Sequence, residues 1–142
     1  MSEPREPTLK SSEAWLESAD EDLGAGRRDL EPPPYRRDAF HHAQQAAEKA
    51  LKAYLVALGR QRIPRTHKLE ALAREVRAAG GQEPPGEALE YLESYPSYVR
   101  YPDTASPSES EAAEAIEFGA AMVAFVRQAL ADVSPEREEE RP

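Results

Sequence analysis

Cysteine is absent from the 142 residues of this chain, which excludes disulfides, cysteine-ligated zinc, iron–sulfur clusters and thiol catalysis, and agrees with a reducing compartment. Long apolar runs are missing as well. No stretch approaches the roughly 20 residues that cross a bilayer, and the opening MSEPREPTLKSSE has no apolar segment of signal-peptide type. A soluble cytoplasmic protein without membrane contact is therefore expected. No glycine-rich phosphate loop, Gly-x-Ser-x-Gly or His-Glu-x-x-His occurs, so the common signatures of nucleotide kinases and hydrolases are lacking. Nor is there strand-like alternation of apolar and polar residues or an internal repeat. Positive charge is short too. The net charge of −9 disfavours nonspecific nucleic-acid binding, which needs a basic surface, and leaves room only for a local basic pocket.

What remains is helical, and a chain of this length suits one domain with one modest core. Phe40, Ala43, Ala47, Leu51, Tyr54, Leu55 and Leu58 recur at steps of three and four, which places them on one face of a helix from about Asp38 to Leu58. Gly59 stands where a left-handed C-terminal cap belongs. Upstream, Ser11 or Ser12 is positioned to cap a first helix reaching about Arg28, with Leu16, Ala19 and Leu23 on one face. Gly24 and Gly26 either weaken that helix or mark a tight contact, and Glu31-Pro32-Pro33-Pro34 makes an extended connection. Downstream, Thr66 is the predicted N-cap of a third helix carrying Leu69, Leu72 and Val76, ended by Gly80-Gly81. A short fourth helix holds Leu89 and Leu92. Ser108 and Glu111 have capping-box spacing before a last helix with Ala112, Ile116, Gly119, Val123, Val126 and Leu130. The sequence thus predicts an all-α fold, an antiparallel up-and-down bundle of four to five helices. Residues 1–10 read as a flexible arm, 11–133 as the bundle and 134–142 as a disordered acidic tail.

Beside the apolar stripe of the central helix runs a polar one, Arg37, His41, Gln44, Glu48 and Lys52, which needs water or a partner surface. His41, Gln44, Glu48 and Lys52 are accordingly candidate interface residues. Glu48 and Lys52 form an i,i+4 pair worth a few tenths of a kcal/mol on a solvated face. His41 and His42 point about 100° apart and cannot chelate one ion together, so neither a metal nor another cofactor is expected. At Pro64-Arg65-Thr66-His67, a guanidinium, a hydroxyl and an imidazole beside the start of the third helix would make a phosphate site. The plainer alternative is that Thr66 only caps and His67 packs on the loop. Arg100-Tyr101-Pro102-Asp103 sets a permanent cation beside an aromatic ring, which suits a nucleotide, or equally an Arg100–Asp103 bridge.

Three segments coincide in order: AFHHAQQAAEKALKAY at Ala39 to Tyr54, PRTHKL at Pro64 to Leu69, and RYPD at Arg100 to Asp103, preceded by a helix with Trp15 and Asp22-Leu23. Together they resemble the HEPN family, the higher eukaryotes and prokaryotes nucleotide-binding domain, in its stand-alone prokaryotic form, from about Ser12 to Leu130. The resemblance implies an all-α up-and-down bundle that usually forms a homodimer. Such modules are often encoded beside a minimal nucleotidyltransferase and form a toxin–antitoxin-like or nucleotide-handling pair with it. The ligand-binding residues it points to are Lys49, Arg65, Thr66, His67, Arg100, Tyr101 and Asp103. Many relatives are metal-independent ribonucleases with an arginine followed four to six residues later by histidine. Here Arg100 is followed by YPDTASPS, so the general base that would deprotonate a ribose 2′-OH is missing from that place. The expectation is a noncatalytic module that binds a nucleotide or a partner nucleotidyltransferase. The alternative is a ribonuclease using Arg100 with His67 or His41, and only then is RNA a ligand.

Overall fold

The computed structural model describes residues 9–94 and 106–133. They form α1 (Leu9–Asp29), α2 (Arg36–Ala57), α3 (Leu69–Ala78), α4 (Gly86–Glu93) and α5 (Glu109–Leu130), with no strand among the described residues. The all-α bundle predicted from the sequence is what the chain builds. Its axis is α2. The predicted stripe from Phe40 to Leu55 is fully buried, and from Ala50 to Ala57 every residue is buried, because alanines at 46, 50, 53 and 57 let neighbouring helices close over the other faces as well.

Pairwise contacts fix the helix directions. Ser12 with Ala53, Lys49 with Ser18, and His42 with Asp29 make α1 and α2 an antiparallel hairpin. Gly119 against Ala43 and Phe125 edge-on to Tyr54 at 5.9 Å run α5 in the same sense as α2. The α2–α3 connection doubles back along α2, bringing His67 to Glu48, and α3 then returns until Gly81 sits against Tyr54 and Leu58. That return path lays the whole 59–68 loop beside the polar stripe of α2.

Local chemistry explains most of the boundaries. Gly59 and Gly80 take φ of 94° and 85°, and the bonds Arg60 N–H to Leu55 O and Gly81 N–H to Val76 O close Schellman caps on α2 and α3. Ser108 and Glu111 form the expected reciprocal capping box at α5. Ser12 does not cap α1. The helix begins at Leu9, and Ser12 is buried within it, donating its hydroxyl to Ala53 O at 2.9 Å, because the α2 backbone offers a free lone pair there. Gly26 marks a tight contact: a side-chain carbon would collide with Ile116 and stand 3.3 Å from His42 Cβ. Among the described residues no helix is long and apolar enough to cross a membrane.

Candidate functional site

The polar stripe of α2 finds most of its partners inside the molecule. Gln44 Nε2 donates to Leu92 O near the end of α4 at 2.9 Å. Glu48 accepts Lys52 Nζ on Oε2 at 2.9 Å and meets His67 Nδ1 with Oε1 at 3.0 Å. The Lys52 and Glu48 side chains are only 9% and 13% exposed, and the ammonium lies 5.5 Å from the centre of the Trp15 ring. The pair expected to decorate a solvated face is therefore a buried charge pair, covered by Trp15 and the returning loop. Its neighbour His41 is half-buried. Burial first, then the adjacent His42, push its pKa below the ordinary value, against the pull of Asp22, Asp38 and Glu48. The ring is neutral at pH 7, and its buried Nδ1 has no hydrogen bond among the described residues.

The 59–68 loop is the basic part of an acidic protein. Arg60, Arg62, Arg65, His67 and Lys68 fall in nine residues without one carboxylate. Arg60 reaches Glu75 only at 3.8 Å. Arg62, Arg65 and Lys68 are exposed and make no ion pair among the described residues. The His67 side chain is 86% exposed and tethered through Glu48.

Two expectations about this loop are corrected. Thr66 does not cap α3: its Oγ1 accepts Lys68 N–H at 3.1 Å within the loop, and the helix starts at Leu69 with Lys68 extended before it. Pairing of His67 with Glu48 holds these residues out along α2, which delays the helix. His67 is thus not in the first turn of α3, and one of the N–H groups that would face an anion there is already satisfied. The Glu70 N–H is taken at 2.8 Å by the Glu93 carboxylate of α4, so the chain supplies its own anion.

Lys49 is not part of the loop cluster. Its ammonium donates to Ser18 Oγ at 2.7 Å and pairs with Asp22 at 2.8 Å, on the α1 side. Arg65, Thr66 and His67 lie together. Arg100, Tyr101 and Asp103 lie outside the described residues, so the structure says nothing of a hollow shared with them. A groove of about 460 Å³ between α3 and α4 is lined by Glu70, Glu90 and Glu93 with Arg77. Arg77 is clamped by Glu83 and Glu70, whose hydrogen bonds raise its pKa. Among the described residues no three acidic or histidine side chains converge as a metal site.

Against this geometry, the HEPN domain family profile matches residues 12–129, spanning most of α1 and nearly all of α5. This chain belongs to the HEPN family. The crystal structure of ST0689, an archaeal HEPN homologue, is similar at a TM-score of 0.64 and 25% sequence identity, covering 84% of this chain and 97% of that one. No curated protein matches. As a HEPN domain, the chain carries one pairing that sequence reasoning passed over. Arg36 and Arg37 precede His41 by five and four residues, and α2 brings Arg37 and His41 to one face, one turn apart. The spacing is legible in the sequence, but there Arg37 reads simply as a member of the polar stripe, and His41 enters as a ribonuclease histidine only in company with Arg100.

Proposed function

We propose that this chain is a noncatalytic HEPN module of the cytoplasm that binds a nucleotide through the 59–68 loop. In this reading it acts as a homodimer paired with a minimal nucleotidyltransferase in a toxin–antitoxin-like arrangement. The observation that carries the nucleotide half is the set of exposed cations Arg62, Arg65 and Lys68, without an ion pair among the described residues, on a chain of net charge −9. Such cations attract phosphate locally while the rest of the surface repels polyanions. Titration calorimetry with ATP and GTP should give measurable heat, and Arg65→Glu with Lys68→Glu should weaken binding at least about tenfold, as expected when two charge-assisted phosphate contacts are reversed. Absence of heat at millimolar nucleotide, alone and with the partner present, would remove the proposal. The partner half is tested by co-purification with a small nucleotidyltransferase encoded next to this gene.

A second reading is favoured by the Arg37–His41 pair. A neutral imidazole one turn from a guanidinium has the parts to deprotonate a ribose 2′-OH and stabilise the resulting phosphorane. Cleavage of RNA in EDTA that disappears in His41→Ala and in Arg37→Ala would establish it; intact RNA with the wild-type protein would end it.

A further inference from the structure

The described chain leaves the bundle near the start of the basic loop. α5 runs in the same sense as α2, with Phe125 against Tyr54, so its last turn lies level with the C-terminal end of α2. Val133 packs on the core, and beside it Asp132 Oδ2 accepts Gln82 Nε2 at 2.9 Å. Gln82 is pinned in turn by its N–H, which donates to the Tyr54 hydroxyl at 2.8 Å, and the adjoining Gly81 stands against Leu58. Two residues past Leu58 the run of cations begins. It follows α2 back to Glu48, ten residues or about 15 Å along the helix axis.

The carboxylates around that run are engaged elsewhere or stand off from it. Glu48 holds Lys52 and His67, Glu70 holds Arg77, and Glu75 approaches Arg60 only to 3.8 Å. Arg62, Arg65 and Lys68 remain exposed and without an ion pair among the described residues. Beyond Val133 the sequence continues as SPEREEERP over 134–142, outside the described residues. Its uninterrupted acidic run, Glu138, Glu139 and Glu140, stands five to seven residues past Val133, a reach of at most about 25 Å.

We infer that the 59–68 loop is a docking surface for the chain's own acidic segment, with Glu138, Glu139 and Glu140 lying against Arg62, Arg65 and Lys68. Charge selects this occupant, since three successive carboxylates meet three cations that lack partners. Reach selects this surface over the other exposed arginines. Arg27 and Arg28 end α1 and Arg36 opens α2, so they stand a whole α2 length of 22 residues from its C-terminus, about 33 Å and farther than the acidic run can extend. Tethering supplies what isolated surface ion pairs lack: each contributes little by itself, but a short link holds the segment at millimolar effective concentration, so a contact of millimolar affinity is closed about half the time. The functional consequence rests on the nucleotide reading given above. While docked, the acidic run screens the phosphate-binding cations, and the apparent affinity for nucleotide falls about twofold.

Because the chain has no cysteine, Pro142→Cys accepts a single nitroxide label, and paramagnetic broadening of amide signals in the isotope-enriched full chain reads the contact without any nucleotide. At low salt the amides of Arg62, Arg65 and Lys68 should broaden while those of Arg28 and Arg36 stay sharp. The broadening should fade at about 1 M salt, where the screening length falls to about 3 Å. It should fade equally in the triple variant Glu138→Gln, Glu139→Gln, Glu140→Gln, which leaves the tether unchanged. Broadening that persists in that variant, that centres on Arg28 and Arg36, or that never appears overturns the contact. So does equal broadening of an unlabelled, isotope-enriched chain mixed with a labelled one, which would put the segment on a second copy. Titration calorimetry with ATP tests the consequence separately: the triple variant should bind about twofold more tightly than wild type. Equal affinities with the broadening intact overturn the competition, whereas absence of heat from both chains removes the nucleotide reading and leaves the docked segment standing.

Discussion

Glu48→Ala should cost about 3 kcal/mol of unfolding free energy in urea denaturation followed by circular dichroism. The substitution deletes little volume, so the loss comes from what stays behind. Lys52 keeps an ammonium on a side chain only 9% exposed, and removing one partner of a buried pair typically costs about 3–5 kcal/mol through the uncompensated charge. The lower end applies because the Trp15 ring, 5.5 Å from Nζ, still offers a cation–π contact. The double variant Glu48→Ala, Lys52→Met should recover at least half of the loss, since both charges then leave together and the long methionine fills the stem's space. A single-variant loss below about 1 kcal/mol, or two losses that simply add, would show that Lys52 reaches water freely and that the pair is ordinary surface decoration.

Gly119→Leu should be comparably damaging, about 3 kcal/mol, while Gly119→Ala stays close to neutral. A first side-chain carbon at this position would stand 3.1 Å from Ala43 O and 3.3 Å from Leu23 Cδ2. That distance is tight but can be relieved by a few tenths of an ångström, against the roughly 1 kcal/mol that alanine gains over glycine inside a helix. A leucine has no such escape, because the first obstacle is α2 backbone, so it must drive α5 away from the buried core. Gly24→Ala is the internal control. Its nearest neighbour is Arg28 Nη1 at 3.8 Å, so only the propensity gain remains and the variant should melt slightly higher. Equal melting temperatures for Gly119→Leu and wild type would show that α2 and α5 are not in fixed contact at this point.

Much of the bundle is readable from residue spacing because local rules and the core agree there. The α2 stripe, the glycine at 59 and the Ser108–Glu111 box each state their role within a few neighbouring residues, and each takes that role. Spacing misleads where a distant element outbids a local preference. Ser12 has a partner 41 residues away on α2, and Thr66 loses the helix start because His67 is drawn to Glu48. A hydroxyl near a predicted helix start looks the same in sequence whether it caps or crosses to a neighbour. Lys49 illustrates the same limit for the site. Its helical phase is fixed by the α2 pattern, but nothing in that pattern says that Ser18 and Asp22 wait opposite it. The basic loop is legible as composition, whereas its path back along α2 is set by tertiary contacts, His67 with Glu48 and Ile63 against the core.

The uninterrupted burial from Ala50 to Ala57 divides α2 along its length rather than around its circumference. An ordinary amphipathic helix shares every turn between interior and exterior, so new chemistry can evolve at any height. Here the C-terminal third is committed to holding the molecule together, and both of its histidines and both of its arginines belong to the first two turns. Diversification of this scaffold is thereby steered toward one pole of the molecule and the loop that folds back toward it.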